Sequence, residues 1–393
     1  RAPKSTNIKF SDVLSLITGR GDIPMFPCNC LERARTPLLA GSPASRARIG
    51  GRLVEVLNDD IYAPLRAAHK VPDDFLEHQH NCKGLDLDMP RTESHHGKGG
   101  HAQFESSCRR YVVKSLSKDD NKTLLQIAGP LVERMLNGAT MLCPIYMHFK
   151  DIATGKYFMA MRNLTEAGPW FAKYDLKGCA DDKTLEVNGK LIVPVRKRFY
   201  SPHMWCTCMW SPERWEYYRG KVKARTLELG LAGTARQEVV KQISSDADWL
   251  ISQCIMDYSL LIAIRRLPPD VAKSCGAGPL PVAAPTSAPP GLRRWAMLDK
   301  LTGELVVVHM GIIDFLQPWT MSKVAAMYIK SFEFNKATVP PRLYGQRFAK
   351  HFQERIKDDE SLVQQPETVA AAAESRCSAN DDKSDANGQV SES

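Results

Sequence analysis

The sequence predicts an α+β fold in which antiparallel sheets pack with helices. Residues 95–116, "HHGKGGHAQFESSCRRYVVKSL", pass from a glycine-rich turn through two alternating stretches, which is typical of a β-hairpin. A helix is expected next, because Ser117 can cap it and Gly138 can end it. Pro130 is expected to break or kink that helix. Three strand-like segments follow at 142–150, 156–164 and 170–178.

The other elements are predicted from shorter patterns. Helices are expected at 10–18, 60–71 and 236–255. The aromatic-rich stretch 199–218 carries three of the seven tryptophans and is interpreted as a packed excursion or a surface insert. The Pro/Ala/Gly-rich stretch 266–294 separates two apolar segments, so we expect a disordered loop inside a domain.

Charge is unevenly distributed along the 393 residues. The net charge is +9, but residues 358–393 carry nine acidic and two basic residues, which leaves +16 on residues 1–357. A basic body favours anionic partners, such as nucleic acid, phosphoinositides or a nucleotide. The acidic tail lacks aromatic residues and is expected to be disordered. No apolar run reaches the roughly 18 residues of a membrane span.

The cysteines indicate an intracellular protein. There are eleven, none in a C-x-x-C pair, which predicts reduced thiols in a cytosolic protein rather than a disulfide framework. The two C-x-C pairs have the wrong spacing for a zinc ribbon or finger. Because the chain begins with Arg1 rather than methionine, we expect it to be part of a longer protein.

Three features together indicate phosphoryl transfer. The turn "GKGG" precedes a strand with Lys114 at its centre, and such glycines let backbone amides approach phosphates. Asp257 in "IMDYSLLIA" and Asp314 in "GIIDFLQ" each follow an apolar strand. A kinase needs a group for the attacking hydroxyl, one for Mg²⁺ and one for the ATP phosphates. Each feature alone also has a simpler explanation: "GKGG" as an ordinary turn, Lys114 as a solvent-exposed lysine, and each aspartate as a surface or capping residue.

The motifs that carry these aspartates resemble those of a lipid kinase family. In chain order, "YDLKG" (174–178), "IMDYSLL" (255–261) and "GIIDFLQ" (311–317) resemble D-L-K-G-S, M-D-Y-S-L-L and I-I-D of the phosphatidylinositol phosphate kinase family. "GKGGHAQF", "RRYVVKSLSKDD" and "TVPPRLYGQRF" resemble further family segments. Three separate motifs in the correct order are much more specific than any one of them.

The resemblance implies an ATP site between a glycine-rich loop and a strand. Lys114 would meet the ATP phosphates, and Met161 and Arg162 would lie near the adenine. The loop over the phosphates would comprise Gly97, Lys98, Gly99 and Gly100.

The resemblance also implies which residues are catalytic. Asp257 aligns with the catalytic aspartate, and Asp314 aligns with the aspartate that binds Mg²⁺. Lys177 would lie near the transferred phosphate. Asp175 belongs to the same motif, with its role left open. The apolar neighbours of Asp257 would fix its position, and positioning is most of what a protein contributes to phosphoryl transfer.

The loop after Asp314 selects the lipid in this family. Lys323 and Lys330 match basic positions that would meet headgroup phosphates. Ala326 falls at a site that is Glu or Ala in the family, and Ala resembles the type that uses phosphatidylinositol 5-phosphate. The apolar stretch "AAMYI" would form a short amphipathic helix at the bilayer interface.

For the whole chain, the resemblance implies a two-lobed, protein-kinase-like fold. Its parts would be an N-terminal extension (1–59), an N-lobe (60–164), a C-lobe (165–357) and the acidic tail (358–393). The expected function is an ATP-dependent lipid kinase, using Mg²⁺, that converts a phosphatidylinositol monophosphate to a bisphosphate. It would be cytoplasmic and peripheral at anionic phosphoinositide membranes, without a nucleic-acid partner. The sequence neither supports nor excludes a homodimer.

Several residues depart from the family pattern and leave alternatives open. Gly99 stands where the family has Ser, and Cys179 replaces the final Ser of D-L-K-G-S. The acidic partner of Lys114 is undecided among three candidates: Asp119, Asp120 and Glu133. The main alternative function is an inactive pseudokinase that acts as a phosphoinositide-membrane scaffold. A kinase for protein hydroxyls is the second, although H-R-D and A-P-E motifs are absent from the sequence.

Overall fold

The computed structural model describes ten stretches of the chain, all within one compact unit. The predicted helix at 10–18, the glycine-rich loop at 97–100, the acidic tail after 359 and most of the Pro/Ala stretch lie outside them. The described stretches are 45–49, 51–76, 102–106, 108–138, 140–166, 168–195, 207–231, 233–266, 293–329 and 337–359.

The first sheet has six antiparallel strands in the order β1-β2-β5-β6-β4-β3. Its central strands, β5 and β6, are buried almost throughout, as strands covered on both faces are. β1 and β2 precede residue 60, within the segment assigned to the N-terminal extension, yet they belong to this sheet: β2 pairs with β5, and β1 pairs with β2. The strands are β1 Ser45–Ile49, β2 Arg52–Leu57, β3 Gln103–Glu105, β4 Tyr111–Leu116, β5 Ile145–Asp151 and β6 Tyr157–Arg162.

Two helices accompany this sheet, α1 (Asp59–Ala68) and α2 (Lys118–Asn137). Ser117 caps α2 in a capping box with Asp120, so two backbone amides at its start are satisfied. Of the break or kink predicted at Pro130, the break is wrong, since α2 runs through this residue. Buried apolar residues on both sides of Pro130 offset the hydrogen bond that a proline cannot donate.

The second sheet has eight strands in the order β16-β10-β13-β14-β12-β7-β8-β9. Every pairing is antiparallel except that of β10 with β16, so the predicted combination of antiparallel sheets with helices is confirmed. The strands are β7 Ala172–Leu176, β8 Lys183–Val187, β9 Lys190–Leu191, β10 Leu229–Leu231, β12 Ser259–Arg266, β13 Arg293–Asp299, β14 Leu305–Ile313 and β16 Ile356–Asp358.

Four helices and a two-stranded sheet complete this part of the chain. α3 (Pro212–Thr226) packs on β8, and α4 (Gly233–Ser252) packs against α6 (Pro341–Arg355). α5 is Met321–Ile329. The short strands β11 (Ile255–Met256) and β15 (Gln317–Pro318) pair with each other. Within the described stretches, no helix has the length and apolar character needed to cross a bilayer.

A short segment after α2 joins the two sheets. Leu142 bridges to Ile312, and the amide of Ile312 donates to the carbonyl of Met141 at 2.6 Å. The buried carboxylate of Asp246 accepts from the amide of Met141 at 2.6 Å and from Arg134 at 2.7 Å. Because a buried carboxylate needs such partners, this network ties α2 and α4 to the junction.

Two further sequence predictions need correction. The ordered fold continues past Lys357, since Asp358 ends β16 and the buried Asp359 pairs with Lys300. Cys108, Cys143 and Cys179 are free thiols, as predicted. Cys254, in contrast, is disulfide-bonded, so the prediction of reduced thiols is wrong at that position.

Candidate active site

The candidate site lies at one end of three neighbouring strands. In the register of the second sheet, Leu260 of β12 faces Ile312 of β14 on one side and Leu176 of β7 on the other. Because the strands are antiparallel, the start of β12 and the ends of β14 and β7 meet at the same edge. Asp257 precedes β12, while Asp314 follows β14, so the structure brings both predicted aspartates together.

Local backbone geometry aims the two aspartates outward. Asp257 and Asp314 both have left-handed backbones, with φ of 64° and 59°, a conformation that is uncommon outside glycine but more frequent for Asp than for most residues. The pairing of β11 with β15 holds the residues before Asp257 beside those after Asp314. Tyr258 is fully buried against Tyr344, at 4.8 Å between ring centroids. The aspartate is therefore fixed by a buried aromatic neighbour.

Each aspartate is paired with a predicted lysine. Lys177 Nζ lies 2.6 Å from Asp257 Oδ1 and also contacts the Asp257 carbonyl. Lys114 Nζ, from β4 of the first sheet, lies 2.7 Å from Asp314 Oδ1. The side chains of Asp257 and Asp314 remain 36% and 46% exposed. Both carboxylates can therefore meet a substrate while their charges are balanced.

The acidic partner of Lys114, left open among three residues, is Asp314 in the structure. Asp120 instead completes the capping box of α2, and the side chain of Glu133 is exposed. The lysine thus links the two sheets directly across the site.

Asp175 is buried within the site and has two lysine neighbours. Its Oδ2 lies 2.7 Å from Nζ of Lys183, its cross-strand partner on β8. Burial disfavours the charge, but Lys183 and Lys177 outweigh it and hold the pKa of Asp175 at about 2. Burial likewise opposes the charge of Lys177, yet Asp257 and Asp175 raise its pKa. Lys177 therefore stays cationic.

The loop that carries Lys177 is held by a residue that sequence reasoning missed. Asp182 is buried and accepts from the backbone amides of Lys177, at 2.6 Å, and Cys179, at 3.3 Å. Lys183 was missed as well. Both lie in the stretch "ADDKTLEVNGK", which follows the "YDLKG" motif.

The predicted adenine residues lie on the strand next to Lys114. Met161 and Arg162 are in β6 and are 5% exposed. The Arg162 guanidinium pairs with Glu166 at 2.7 Å, and its amide donates to the carbonyl of Pro144. Their contact with adenine stays a prediction, as does the loop formed by Gly97, Lys98, Gly99 and Gly100, which is outside the described residues.

The predicted lipid-specificity residues follow Asp314. Lys323 is half-buried in α5, and Ala326 is on the same helix. Lys330 lies outside the described residues. The expected helix is confirmed, while the contact of these residues with a lipid stays a prediction.

The carboxylates suit Mg²⁺ bound together with a substrate phosphate. Across the described stretches, no group of three or more His, Cys, Asp or Glu could hold a metal by itself. Mg²⁺ is usually held by one or two carboxylates plus phosphate oxygens and water. The partly exposed carboxylate of Asp314 is the predicted ligand. Its pKa lies below the ordinary value because the charge and hydrogen bond of Lys114 outweigh the partial loss of solvent. It is thus ionised and able to bind the ion.

Comparison with known proteins identifies the family. The chain matches the family model described as Phosphatidylinositol-4-phosphate 5-Kinase over residues 86–279 and 294–355, more than half of its length. The chain belongs to this family. The resemblance predicted from the sequence motifs is therefore confirmed.

Two curated relatives of this kinase family match part of the chain. Phosphatidylinositol 4-phosphate 5-kinase 4 of Arabidopsis thaliana is 24% identical over 327 residues, 66% of this chain and 37% of that protein. Phosphatidylinositol 4-phosphate 5-kinase its3 of Schizosaccharomyces pombe is 26% identical over 187 residues, 46% of this chain and 22% of that protein. The chain thus spans well under half the length of either relative.

Gly178, in the family motif, tests how tightly the Lys177 loop is built. It has φ of 67°, and a Cβ there would lie 3.0 Å from Cβ of His351. Gly178→Ala is expected to lower the free energy of unfolding by about 3 kcal/mol, through the left-handed backbone and the clash together. Gly189→Ala is the matched control. Gly189 has φ of 77°, and no atom lies within 4 Å of an added Cβ, so we expect the free energy of unfolding to fall by about 1–2 kcal/mol. Equal losses in urea denaturation would contradict this packing.

The Asp175–Lys183 pair predicts a pH-dependent stability. The pKa of Asp175 lies at about 2, below its ordinary 3.8, so its contribution is present above about pH 4 and is lost as the pH falls toward 2. Lys183→Met should lower the free energy of unfolding by about 1–2 kcal/mol at neutral pH. The difference from wild type should shrink below about pH 4.

The check is urea denaturation across that pH range, with Lys190→Met as control. Lys190 is an exposed lysine paired with Glu216 on the surface, where such pairs contribute little. A Lys183→Met deficit that is constant across the range would show that the pair does not set the pKa of Asp175.

Proposed function

We propose that this chain is an ATP-dependent lipid kinase that phosphorylates the inositol ring of a phosphatidylinositol monophosphate. In the reaction, a ring hydroxyl oxygen bonds to the γ-phosphorus of ATP as the bond from that phosphorus to ADP breaks. The observation that carries the proposal is the edge where Asp257 and Asp314 converge, each with a lysine within 2.7 Å. Membership of the Phosphatidylinositol-4-phosphate 5-Kinase family supports it.

Asp257 is suited to the acceptor hydroxyl. Its side chain is partly exposed, and one oxygen is oriented by Lys177, which leaves the second to accept the hydroxyl proton or to orient the hydroxyl. Lys177 is half-buried and cationic, so it can also stabilise negative charge on the transferred phosphoryl group. Asp175 keeps both Lys177 and Lys183 charged, which makes it a positioning residue.

Lys114 and Asp314 are suited to the ATP phosphates. Lys114 reaches the site from the first sheet, as the phosphate lysine does in a two-lobed kinase with the nucleotide between its lobes. Asp314 would hold Mg²⁺, which when bound neutralises charge on the β- and γ-phosphates. Met161 and Arg162 would lie near adenine, under a loop formed by 97–100.

The family and the loop after Asp314 support a phosphatidylinositol monophosphate as the lipid that accepts the phosphate. Both curated relatives are named phosphatidylinositol 4-phosphate 5-kinases, whereas Ala326 resembles the type that uses the 5-phosphate. Lys323 and Lys330 would meet the headgroup phosphates. The enzyme would act from the cytoplasm, as a peripheral protein on an anionic membrane that attracts its basic body.

The test is transfer of labelled phosphate from ATP to vesicles that contain the 3-, 4- or 5-monophosphate. Wild type should label one monophosphate, and Asp257→Asn should lower the rate about 10²–10⁴-fold, because a general base contributes that much. Asp74→Asn removes an exposed carboxylate in the segment after α1 and should act like wild type.

The outcomes separate the alternatives. Labelling of the 5-phosphate alone would support the argument from Ala326, and labelling of the 4-phosphate alone would overturn that argument while keeping the kinase. Vesicle binding without any labelling would favour the pseudokinase scaffold and contradict the proposed activity.

A further inference from the structure

Helix α3 lies outside the site just described and has two unlike faces. Its inner face consists of Gly220 and Ala224, which are buried on the sheet. The carbonyl of Gly220 accepts from Thr184 Oγ1 of β8 at 2.6 Å. Small residues allow the helix to lie close to the strand, so α3 is rigidly attached.

The opposite face of α3 is apolar but exposed. With about 100° per residue, Trp215, Tyr218 and Val222 form one stripe, roughly opposite to Gly220 and Ala224. Their exposed fractions are 37%, 47% and 43%. Scattered apolar residues on a surface are normal, but a contiguous stripe is a mark of an interaction site.

Basic residues border this stripe on both sides. On the same helical projection, Glu213 falls on the side opposite to the stripe, while Glu216 and Lys223 lie side by side between the stripe and the inner face. The other four basic residues of the helix fall beside the stripe: Arg214, Lys221 and Arg225 on one side, and Arg219 on the other. We call the stripe and these four residues the outer face of α3.

The aromatic part of the outer face is preorganised. Trp215 and Tyr218 both pack on Trp210, at 4.9 and 5.3 Å between ring centroids, and on each other at 6.2 Å. The Arg214 guanidinium stacks over the Trp210 ring at 4.7 Å. The aromatic side chains therefore lose little conformational entropy when they bind.

We infer that the outer face of α3 docks the protein on an anionic lipid bilayer. Trp and Tyr favour the boundary between headgroups and acyl chains, and flanking Lys and Arg extend toward anionic headgroups while their apolar stems cover the stripe. Four basic residues and no acidic residue of α3 lie on this face, which complements an anionic surface. This inference rests on the proposed function in one respect: a lipid substrate brings the protein to a membrane.

Helix α3 also contacts the loop that carries Lys177. Arg225 Nη2, at the end of the helix, donates to the carbonyl of Ala180 at 3.2 Å, and Ala180 lies three residues after Lys177. A helix held at the bilayer surface therefore also supports the loop that would meet the lipid headgroup.

The test is sedimentation of the full chain with phosphatidylcholine vesicles, with and without phosphatidylserine. Neither lipid is the proposed substrate, so binding does not depend on the active site. Trp215→Ala/Tyr218→Ala should weaken binding to the anionic vesicles at least about tenfold, because two large aromatic side chains lose their burial. Arg219→Glu, which leaves the aromatic cluster in place, should weaken it about fivefold or more.

Matched controls are Leu301→Ala, which removes a 67% exposed apolar side chain elsewhere, and Arg342→Glu on the exposed side of α6. Both should bind vesicles like wild type. Unchanged binding by the double variant and Arg219→Glu would overturn the inference. The inference would also be overturned if the double variant changed its oligomeric state in light scattering but bound vesicles like wild type. The outer face of α3 would then contact a second copy of the chain.

A second measurement separates this inference from the proposed function. On a short-chain, monomeric phosphatidylinositol monophosphate, the double variant should keep the wild-type rate, whereas on vesicles its rate should fall with its binding. Loss of vesicle binding in a chain that shows no kinase activity would support docking and contradict the kinase. Equal loss of rate on both substrates would overturn the docking role.

Discussion

The pairing register around β12 is the constraint on which the site depends. One residue, Leu260, faces Ile312 on one side and Leu176 on the other, so the residues just beyond the three strand ends become neighbours. A slip by one residue would turn every side chain of β12 to the opposite face. Buried contacts prevent such a slip, because Tyr258 fills the space between Tyr344 and Phe348 at 4.8 Å from each ring.

Balanced charge is the second principle of the site. Three carboxylates converge at one edge of the second sheet, and each has a lysine at 2.6–2.7 Å. The lysines come from three different strands or loops, so their arrangement depends on the whole fold. Fixed charges of this kind need no reorganisation during reaction, and this is how a protein stabilises charge that develops in a transition state.

The sequence predicted the parts that are encoded locally. Asp257 and Asp314 were found because each interrupts an apolar strand, and α2 was found from its Ser117 cap. The roles of Asp182 and Lys183 were not foreseen, because they depend on the β7–β8 register and on a loop folding back. The partner of Lys114 could not be chosen either, since Asp314 is 200 residues away in sequence. The sequence around Trp215 is visibly rich in aromatic residues. Which of them share an exposed helical face depends on how α3 packs on the sheet.

The most direct test of the site is calorimetric titration with ATP, with and without Mg²⁺, for wild type, Asp314→Asn and Asp257→Asn. If Asp314 holds the ion and Asp257 faces the acceptor, Mg²⁺ should tighten ATP binding to wild type and to Asp257→Asn. It should not do so for Asp314→Asn. If Asp314→Asn keeps the Mg²⁺ effect, or Asp257→Asn loses it equally, the assignment of separate roles to the two aspartates is wrong.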